Sequence, residues 1–192
     1  MLARVRSLVE LAGLPFISWR LGVAASSLTI TSSQLHFPTV TGTNLARQAL
    51  EFPRQFEGER NLVFVAFLQS QQTIINTWLP FAQELEATTP NLAYYELPVI
   101  DDRSMLSRTF INEGMRAGIP DPTARARTIT LYLDTARFRA ALEIPGRDDV
   151  HVLLVARTGE ILWRTTGALE AAKAESLRHA LALPTPNRES SV

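Results

Sequence analysis

The chain has 192 residues, of which 46% are hydrophobic and 20% charged, a composition typical of a folded protein with a sizeable core. Its 19 basic and 19 acidic residues cancel, so no overall basic excess indicates a nucleic-acid-binding protein. The sequence contains no cysteine, which excludes disulfide bonds, thiol catalysis and cysteine-ligated metal sites.

The first 28 residues have the character of a targeting segment. They contain three arginines and one acidic residue, Glu10. Five apolar residues fall on one helical face: Leu2, Val5, Leu8, Val9 and Ala12. This pattern is typical of a mitochondrial or plastid targeting peptide, or of a helix that contacts a membrane surface. The alternative is an amphipathic helix that packs on its own domain.

Three regions follow from this pattern. We expect residues 1–37 to be an N-terminal targeting or docking extension, residues 38–183 to form the folded domain, and residues 184–192 to be a flexible tail. Phe16 and Trp19 are candidate partner-binding residues of the extension, because an isolated amphipathic segment must bury such side chains against something.

The remainder of the chain alternates between strand and helix patterns. Residues 29–60 are mixed and turn-rich, with at most a short lead-in strand within 36–45. Five further strands are predicted at 61–68, 92–100, 128–133, 151–156 and 160–166. Helices are predicted around 74–85 and at 104–118, 134–144 and 169–183.

Several local signals refine these elements. Pro80 should kink or split the first helix. Asp134 is a suitable N-cap for the helix that follows, in which Ala136, Phe138 and Leu142 should face the core. Gly159 occupies the turn between the last two strands, which predicts a β-hairpin. The element order predicts an α/β protein: a thioredoxin-like mixed sheet with flanking helices and a C-terminal β-hairpin plus helix.

The first long strand runs directly into a helix through Gln69-Ser70-Gln71-Gln72. Folds built on this unit often carry their chemistry at the joint, commonly as a cysteine pair, and glutamine cannot replace a thiolate. The side chains of this joint can instead form hydrogen bonds or cap the helix.

Other candidate catalytic groups are weak. The three histidines, His36, His151 and His179, lack metal-ligand spacing, and packing roles are favoured for them. The acidic pairs at 101–102 and 148–149 have the character of solvated loops, and no phosphate-binding glycine motif occurs. We therefore predict no catalytic residue, cofactor or metal, and a protein that is not an enzyme.

A binding surface is the better candidate. A predicted loop at 120–127 follows the 104–118 helix. Four charged residues cluster in and around this loop: Arg116, Asp121, Arg125 and Arg127. Such residues can present planar donors to a partner's carboxylates or backbone. The alternative is a set of arginine–aspartate pairs that hold the loop shut. Trp163 is interpreted as a core residue.

The run from Asn61 to Gly167 resembles the mitochondrial ATP synthase assembly-factor-ten family. The resemblance is clearest in FINEGMRAGIPD at 110–121, RTITLYLDTARFRAALEI at 127–144 and HVLLVARTGEILWRTTG at 151–167, and it does not extend to the N-terminal third. It implies a thioredoxin-like protein of the mitochondrial inner membrane that assists incorporation of the membrane subunit a into the ATP synthase and needs no cofactor.

These expectations lead to one functional prediction with two alternatives. The chain is predicted to be a non-catalytic assembly factor, or chaperone-like partner, of the ATP synthase membrane sector, associated with the matrix side of the mitochondrial inner membrane. Its partners would be membrane subunits of the ATP synthase or of a respiratory complex, with peripheral membrane contact through the N-terminal segment and no nucleic acid. The alternatives are a permanent accessory subunit of such a complex and a peroxiredoxin-like enzyme that uses a non-thiol group.

Overall fold

The structure is a computed structural model that describes residues 34–101 and 105–183, without the side chains of residues 105–107, 109 and 110. The predicted targeting segment, with Phe16 and Trp19, and the predicted flexible tail lie outside the described residues. Within the described ranges the chain forms one seven-stranded sheet and five α-helices, with a short 3-10 helix at Gln69–Gln71 before the first of them.

The strands are β1 (Val40–Asn44), β2 (Ala49–Phe52), β3 (Arg60–Ala66), β4 (Leu92–Asp101), β5 (Ile129–Leu133), β6 (His151–Ala156) and β7 (Ile161–Thr166). The helices are α1 (Gln72–Thr88), α2 (Met105–Gly118), α3 (Pro122–Arg127), α4 (Thr135–Ala141) and α5 (Ala171–Ala182). In space the strand order is β2-β1-β5-β4-β3-β6-β7.

The centre of the sheet is parallel and its two sides are antiparallel. Strands β3, β4 and β5 run parallel, and helices cross between them, as parallel neighbours require. Strand β6 pairs antiparallel with β3, and β7 with β6. On the other side, β1 pairs antiparallel with β5 and β2 with β1. The predicted change from crossover units to a terminal hairpin and helix is confirmed.

Strand β3 is covered on both faces, which explains its nearly continuous apolar sequence. Val63 and Val65 join a core cluster with the aromatic residues of the N-terminal region and with α4. Leu62 and Phe64 point to the opposite face, where they pack with α1 and α5. The strand-to-helix joint is thus built on a strand that is buried on both faces.

Helix α1 continues through Pro80 without a break, so Pro80 does not split the helix. Pro80 lies on the exposed face of α1. The carbonyl of Asn76, which loses its intrahelical partner there, is therefore on the side where water can solvate it. The opposite face of α1 keeps its predicted apolar stripe, with Ile75, Trp78 and Phe81 buried.

The N-terminal hairpin of β1 and β2 exceeds the single lead-in strand that the sequence predicts. Gly42 explains why the sequence of β1 shows only a weak strand pattern. A Cβ at this position would lie 2.5 Å from Ile129 Cγ2 and 2.6 Å from Leu131 Cδ2, so β1 contacts β5 through a residue without a side chain. This close approach removes an apolar residue from the alternation that marks a strand.

The residues just before β1 pack with the domain. Phe37 is buried in the core, and its N–H donates to Gly159 O at 2.7 Å. The N–H of Ile161 donates to Leu35 O at 2.9 Å. These contacts attach residues 35–37 to the domain, whose start we predict at residue 38.

Two details of the predicted helices are wrong. The segment predicted as a loop at 120–127 contains α3, which is short and carries no apolar stripe, although Asp121 and Pro122 form a recognisable N-cap and first position. In α4 the first helical residue, Thr135, is buried and Ala136 is exposed, whereas Phe138 faces the core as predicted.

The C-terminal elements are confirmed. Gly159 lies in the turn between β6 and β7 with φ +97°, a conformation that favours glycine. Helix α5 closes the fold. Trp163 is half-buried beneath it, donates from Nε1 to Ser176 Oγ at 2.9 Å and packs edge-on against Trp78, as expected of a residue at the margin of the core.

Candidate functional site

The strand–helix joint is closed by Gln71. This side chain is 3% exposed, and its Oε1 accepts from the backbone N–H groups of Phe67 at 2.8 Å and Leu68 at 3.1 Å. Its Nε2 donates to Arg147 O at 2.7 Å, in the loop before β6. Both ends of the amide are therefore used to hold the chain where it leaves β3, and the predicted structural role of the joint glutamines is confirmed at this position.

A buried acid that is not among the predicted site residues lies beside the joint. Glu96 of β4 is 4% exposed and accepts from Gln72 Nε2 at 2.9 Å. Burial raises the pKa of this carboxyl above its ordinary value, and the hydrogen bond from Gln72 opposes that shift. The available signal was a single acid inside the apolar strand LAYYELPVI.

The other titratable groups near the joint have structural contacts. His151, at the start of β6, is buried with its ring edge-on to Phe67, and burial lowers its pKa. Asp101 accepts from Thr135 Oγ1 and forms an ion pair with Arg147 at 3.3 Å. In the described ranges, no group of three or more histidine, aspartate or glutamate side chains is arranged to hold a metal ion.

Two of the predicted arginines hold the α2–α3 connection together. Arg116, in the last turn of α2, donates from Nε to Leu45 O at 2.8 Å, in the β1–β2 turn. Arg125 of α3 donates from Nε to Ile119 O at 2.6 Å and from Nη2 to Arg116 O at 3.1 Å. These bonds fix both guanidinium groups against backbone carbonyls.

Asp121 is the N-cap of α3. Its carboxylate accepts from the backbone N–H groups of Thr123 at 3.4 Å and Ala124 at 2.8 Å. The side chain thus shapes the start of the helix, and its described contacts include no arginine. A network of aspartate–arginine pairs, the alternative in the sequence analysis, is therefore not how this connection is held in the described structure.

Arg127 points away from Arg116 and Arg125. Residues two apart on a helix do not share a face, so Arg127 leaves α3 on another side from Arg125. Its side chain is 16% exposed and pairs with Glu57 at 2.8 Å and Glu86 at 2.7 Å. The guanidinium also lies over the Tyr95 ring, 5.3 Å from its centroid. The structure therefore brings Arg116 and Arg125 together and separates Arg127 from them.

Arg47, which is not among the predicted site residues, lies beside Arg116 and Arg125. A depression of about 270 Å³, here called the arginine depression, lies between the β1–β2 turn, the end of α2 and the start of α3. It is lined by Leu45, Ala46, Arg47, Arg116, Pro122 and Arg125. A role for Arg116, Asp121, Arg125 and Arg127 in partner binding stays a prediction, as does that of Phe16 and Trp19.

No helix in the described ranges is long and apolar enough to cross a membrane.

No protein-family model matches the sequence, and no curated protein sequence matches it. Solved structures do resemble the fold. A thiol:disulfide interchange protein from Bacteroides sp. superposes with a TM-score of 0.53 at 15% identity, over 81% of this chain and 94% of that one. BsSco, of the Sco family of cytochrome c oxidase assembly proteins, gives a TM-score of 0.51 at 12% identity, over 79% and 96% of the two chains. A third, described as a putative electron transfer protein from Aquifex aeolicus, gives 0.51 at 9% identity, over 77% and 95%. The chain has a thioredoxin-like fold, as predicted.

The prediction that the chain is not an enzyme is wrong as a conclusion about this fold. The solved structures that the chain resembles include a thiol:disulfide interchange protein, which is an enzyme. The expectation rests on the missing cysteine and on the weakness of the histidines and acidic pairs as catalytic groups. That absence excludes thiol–disulfide exchange by the residues of this chain, and it excludes no other chemistry.

Proposed function

We propose that the chain is an assembly factor for the membrane sector of the mitochondrial ATP synthase and that it works by recognising protein surfaces. The observation that carries the proposal is a thioredoxin-like fold in which the joint between β3 and α1 is closed by Gln71 and contains no thiol. The joint therefore holds the scaffold in shape, and the features left to meet a partner are on the surface.

Two further observations support the proposal. The blocks at 110–121, 127–144 and 151–167 resemble the ATP synthase assembly-factor-ten family. Among the similar structures, BsSco belongs to a family of cytochrome c oxidase assembly proteins, so the same fold serves assembly of another respiratory complex. Both support a role in the assembly of a multisubunit complex.

The proposed location follows from the proposed partner. We place the chain on the matrix side of the mitochondrial inner membrane, with membrane subunits of the ATP synthase as partners and with its N-terminal segment as a peripheral membrane contact. The segment at residues 1–28 has the arginines, the apolar face and the low acid content that such a contact uses.

Affinity capture from solubilised mitochondria tests this proposal. The tagged full chain should recover ATP synthase membrane subunits in substoichiometric amounts, and depletion of the protein should lower the subunit a content of the enzyme while respiratory complexes keep their composition. Capture of no ATP synthase subunit at any assembly stage would overturn the proposal. A one-to-one presence in the finished enzyme would instead identify a permanent accessory subunit.

A further inference from the structure

We infer that the arginine depression is a carboxylate-binding site and that its occupant is an acidic segment of a partner protein. Recognition of carboxylates by clustered arginines relies on planar, paired N–H donors held in fixed positions. The inference rests on the proposed function only in taking the occupant to be a protein.

The site is preorganised. Arg116 and Arg125 are each held through Nε by a backbone carbonyl, at Leu45 and Ile119 respectively. The Leu45 peptide is itself fixed, because its N–H donates to the carbonyls of Arg125 and Thr128, both at 3.1 Å. An incoming carboxylate would therefore meet guanidinium groups whose side-chain entropy has already been lost.

The three arginines have donors to spare. Arg116 uses Nε and Nη1, Arg125 uses Nε and Nη2, and Arg47 uses Nη2. In the part of the chain that the structure describes, the remaining guanidinium N–H groups of these residues have no protein acceptor. A single carboxylate oxygen, Glu113 Oε1, accepts from both Arg47 at 3.1 Å and Arg116 at 3.3 Å. One internal acid thus serves two arginines, and an external carboxylate can supplement or replace it.

The backbone at Arg47 provides an independent observation. This residue has φ +70°, in the left-handed region that glycine or asparagine adopts more readily. The turn does not need an arginine for its hydrogen bonds, because Arg47 contributes its backbone N–H, which donates to Asn44 O at 2.9 Å. A long cation kept at a position that suits glycine indicates a use for its side chain, which is 72% exposed.

The size and surroundings of the depression favour a protein segment over the other anions. Its volume of about 270 Å³ is at the lower limit for a small-molecule pocket and suits one or two side chains. Glu113 pairs with Arg47 and Arg116, so the local field is weaker than that of a basic patch that binds a membrane or nucleic acid. A carboxylate delivered by an acidic protein segment fits this mixed surface.

Binding of labelled peptides by the full chain tests the inference. The probe is a fluorescein-labelled peptide of alternating glycine and glutamate, and the reference is the same peptide with glutamine in place of glutamate. Fluorescence anisotropy should show binding of the glutamate peptide only. Arg47→Gly should weaken it by about fivefold, the size expected of an exposed charge pair. Because glycine relieves the backbone at this turn, the thermal stability of the variant should be equal to or higher than that of the wild type.

Charge-matched variants separate a site from a general charge effect. Arg54→Ala removes an exposed arginine that pairs with Glu51 elsewhere on the surface, and it should leave the peptide affinity within about twofold. Glu113→Gln removes the internal competitor and should strengthen binding, whereas Glu84→Gln, the same charge change beside Arg178, should not.

Three results would overturn the inference: equal effects of Arg47→Gly and Arg54→Ala, equal binding of the two peptides, or Arg47-dependent binding to phosphatidylglycerol vesicles without peptide binding. These outcomes are independent of the capture experiment. Peptide binding together with no captured ATP synthase subunit would reject the ATP synthase role and retain the site. Capture of ATP synthase subunits without peptide binding would reject the site and retain the ATP synthase role.

Discussion

The indole of Trp78 in α1 donates from Nε1 to the carbonyl oxygen of Gly167 at 2.9 Å, and this bond fastens the helix of the joint to the end of the C-terminal hairpin. Trp78 is fully buried. Gly167 in turn donates from its N–H to Val150 O at 2.9 Å. The Trp78 side chain therefore connects α1 to the end of β7, and the backbone of Gly167 connects that end to the loop that enters β6.

Replacing Trp78 with phenylalanine should lower the free energy of unfolding by about 2 kcal/mol, because it leaves the Gly167 carbonyl without its donor and opens a small cavity. Urea denaturation followed by circular dichroism measures the loss. Trp163→Phe is the control, since Trp163 is half-buried and its hydrogen bond to Ser176 is exposed. Equal losses in the two variants would contradict the role assigned to the Trp78 bond.

The buried Glu96 predicts an unusual dependence of stability on pH. Burial raises the pKa of this carboxyl, so the folded protein keeps the proton to a higher pH than the unfolded chain does. The stabilising contribution is full below the unfolded pKa of about 4.3 and is lost as pH rises through the folded-state pKa. Glutamine cannot lose a proton. The difference in unfolding free energy between Glu96→Gln and wild type should therefore become more favourable to the variant from about pH 4 to about pH 7.

Urea titrations at both pH values give that difference directly. Gln72 is partly responsible for holding the carboxylate form, because its amide donates to Glu96 Oε2. Gln72→Ala should therefore destabilise the wild type more at neutral than at acid pH. A pH-independent difference between Glu96→Gln and wild type would show that Glu96 titrates alike in the folded and unfolded states.

Arg127 should contribute more to stability than to binding. Its half-buried guanidinium pairs with Glu57 and Glu86, so Arg127→Met should lower the free energy of unfolding by about 2 kcal/mol through the loss of charge-assisted hydrogen bonds. A double-mutant cycle with Glu86→Gln should give a coupling energy of about 1 kcal/mol between the two side chains. Additive losses would mean that the ion pair contributes nothing measurable.

Asp121 offers a way to separate a cap from a binding group. Asp121→Ala should lower the free energy of unfolding by about 1 kcal/mol, because α3 loses the acceptor for the N–H groups of Thr123 and Ala124. Asp121→Asn should retain nearly all of that stability, since asparagine is an equally good N-cap. If Asp121 meets a partner through its charge, the asparagine variant alone will show a loss of binding at unchanged stability. Thermal denaturation together with the capture experiment distinguishes the two roles.

The central architecture could be predicted because its signals are local. The apolar run of β3 is covered on both faces, and Gly159 marks the last hairpin at the position where the backbone is left-handed. The sequence indicates only one strand of the first hairpin, because Gly42 brings β1 against Ile129 without a side chain of its own. Helix α3 is not evident in the sequence, because its six residues carry no apolar stripe.

The candidate site was only half predictable for a different reason. Arg116 and Arg125 were selected because they are near each other in the chain, and they do meet in the structure. Arg47 joins them through Glu113, which lies 66 residues away, and no local pattern reveals such a contact. Arg127 was assigned to the same group by proximity in sequence, but the turn of α3 directs it toward Glu57 and Glu86.

The amide of Gln71 also limits how this protein could acquire a thiol at the joint. A cysteine at position 71 would leave the buried N–H groups of Phe67 and Leu68 without an acceptor and the carbonyl of Arg147 without a donor. The first step toward redox chemistry at this position would therefore reduce the stability of the strand exit on which that chemistry depends. A thiol at position 71 therefore requires compensating substitutions that satisfy these three backbone groups.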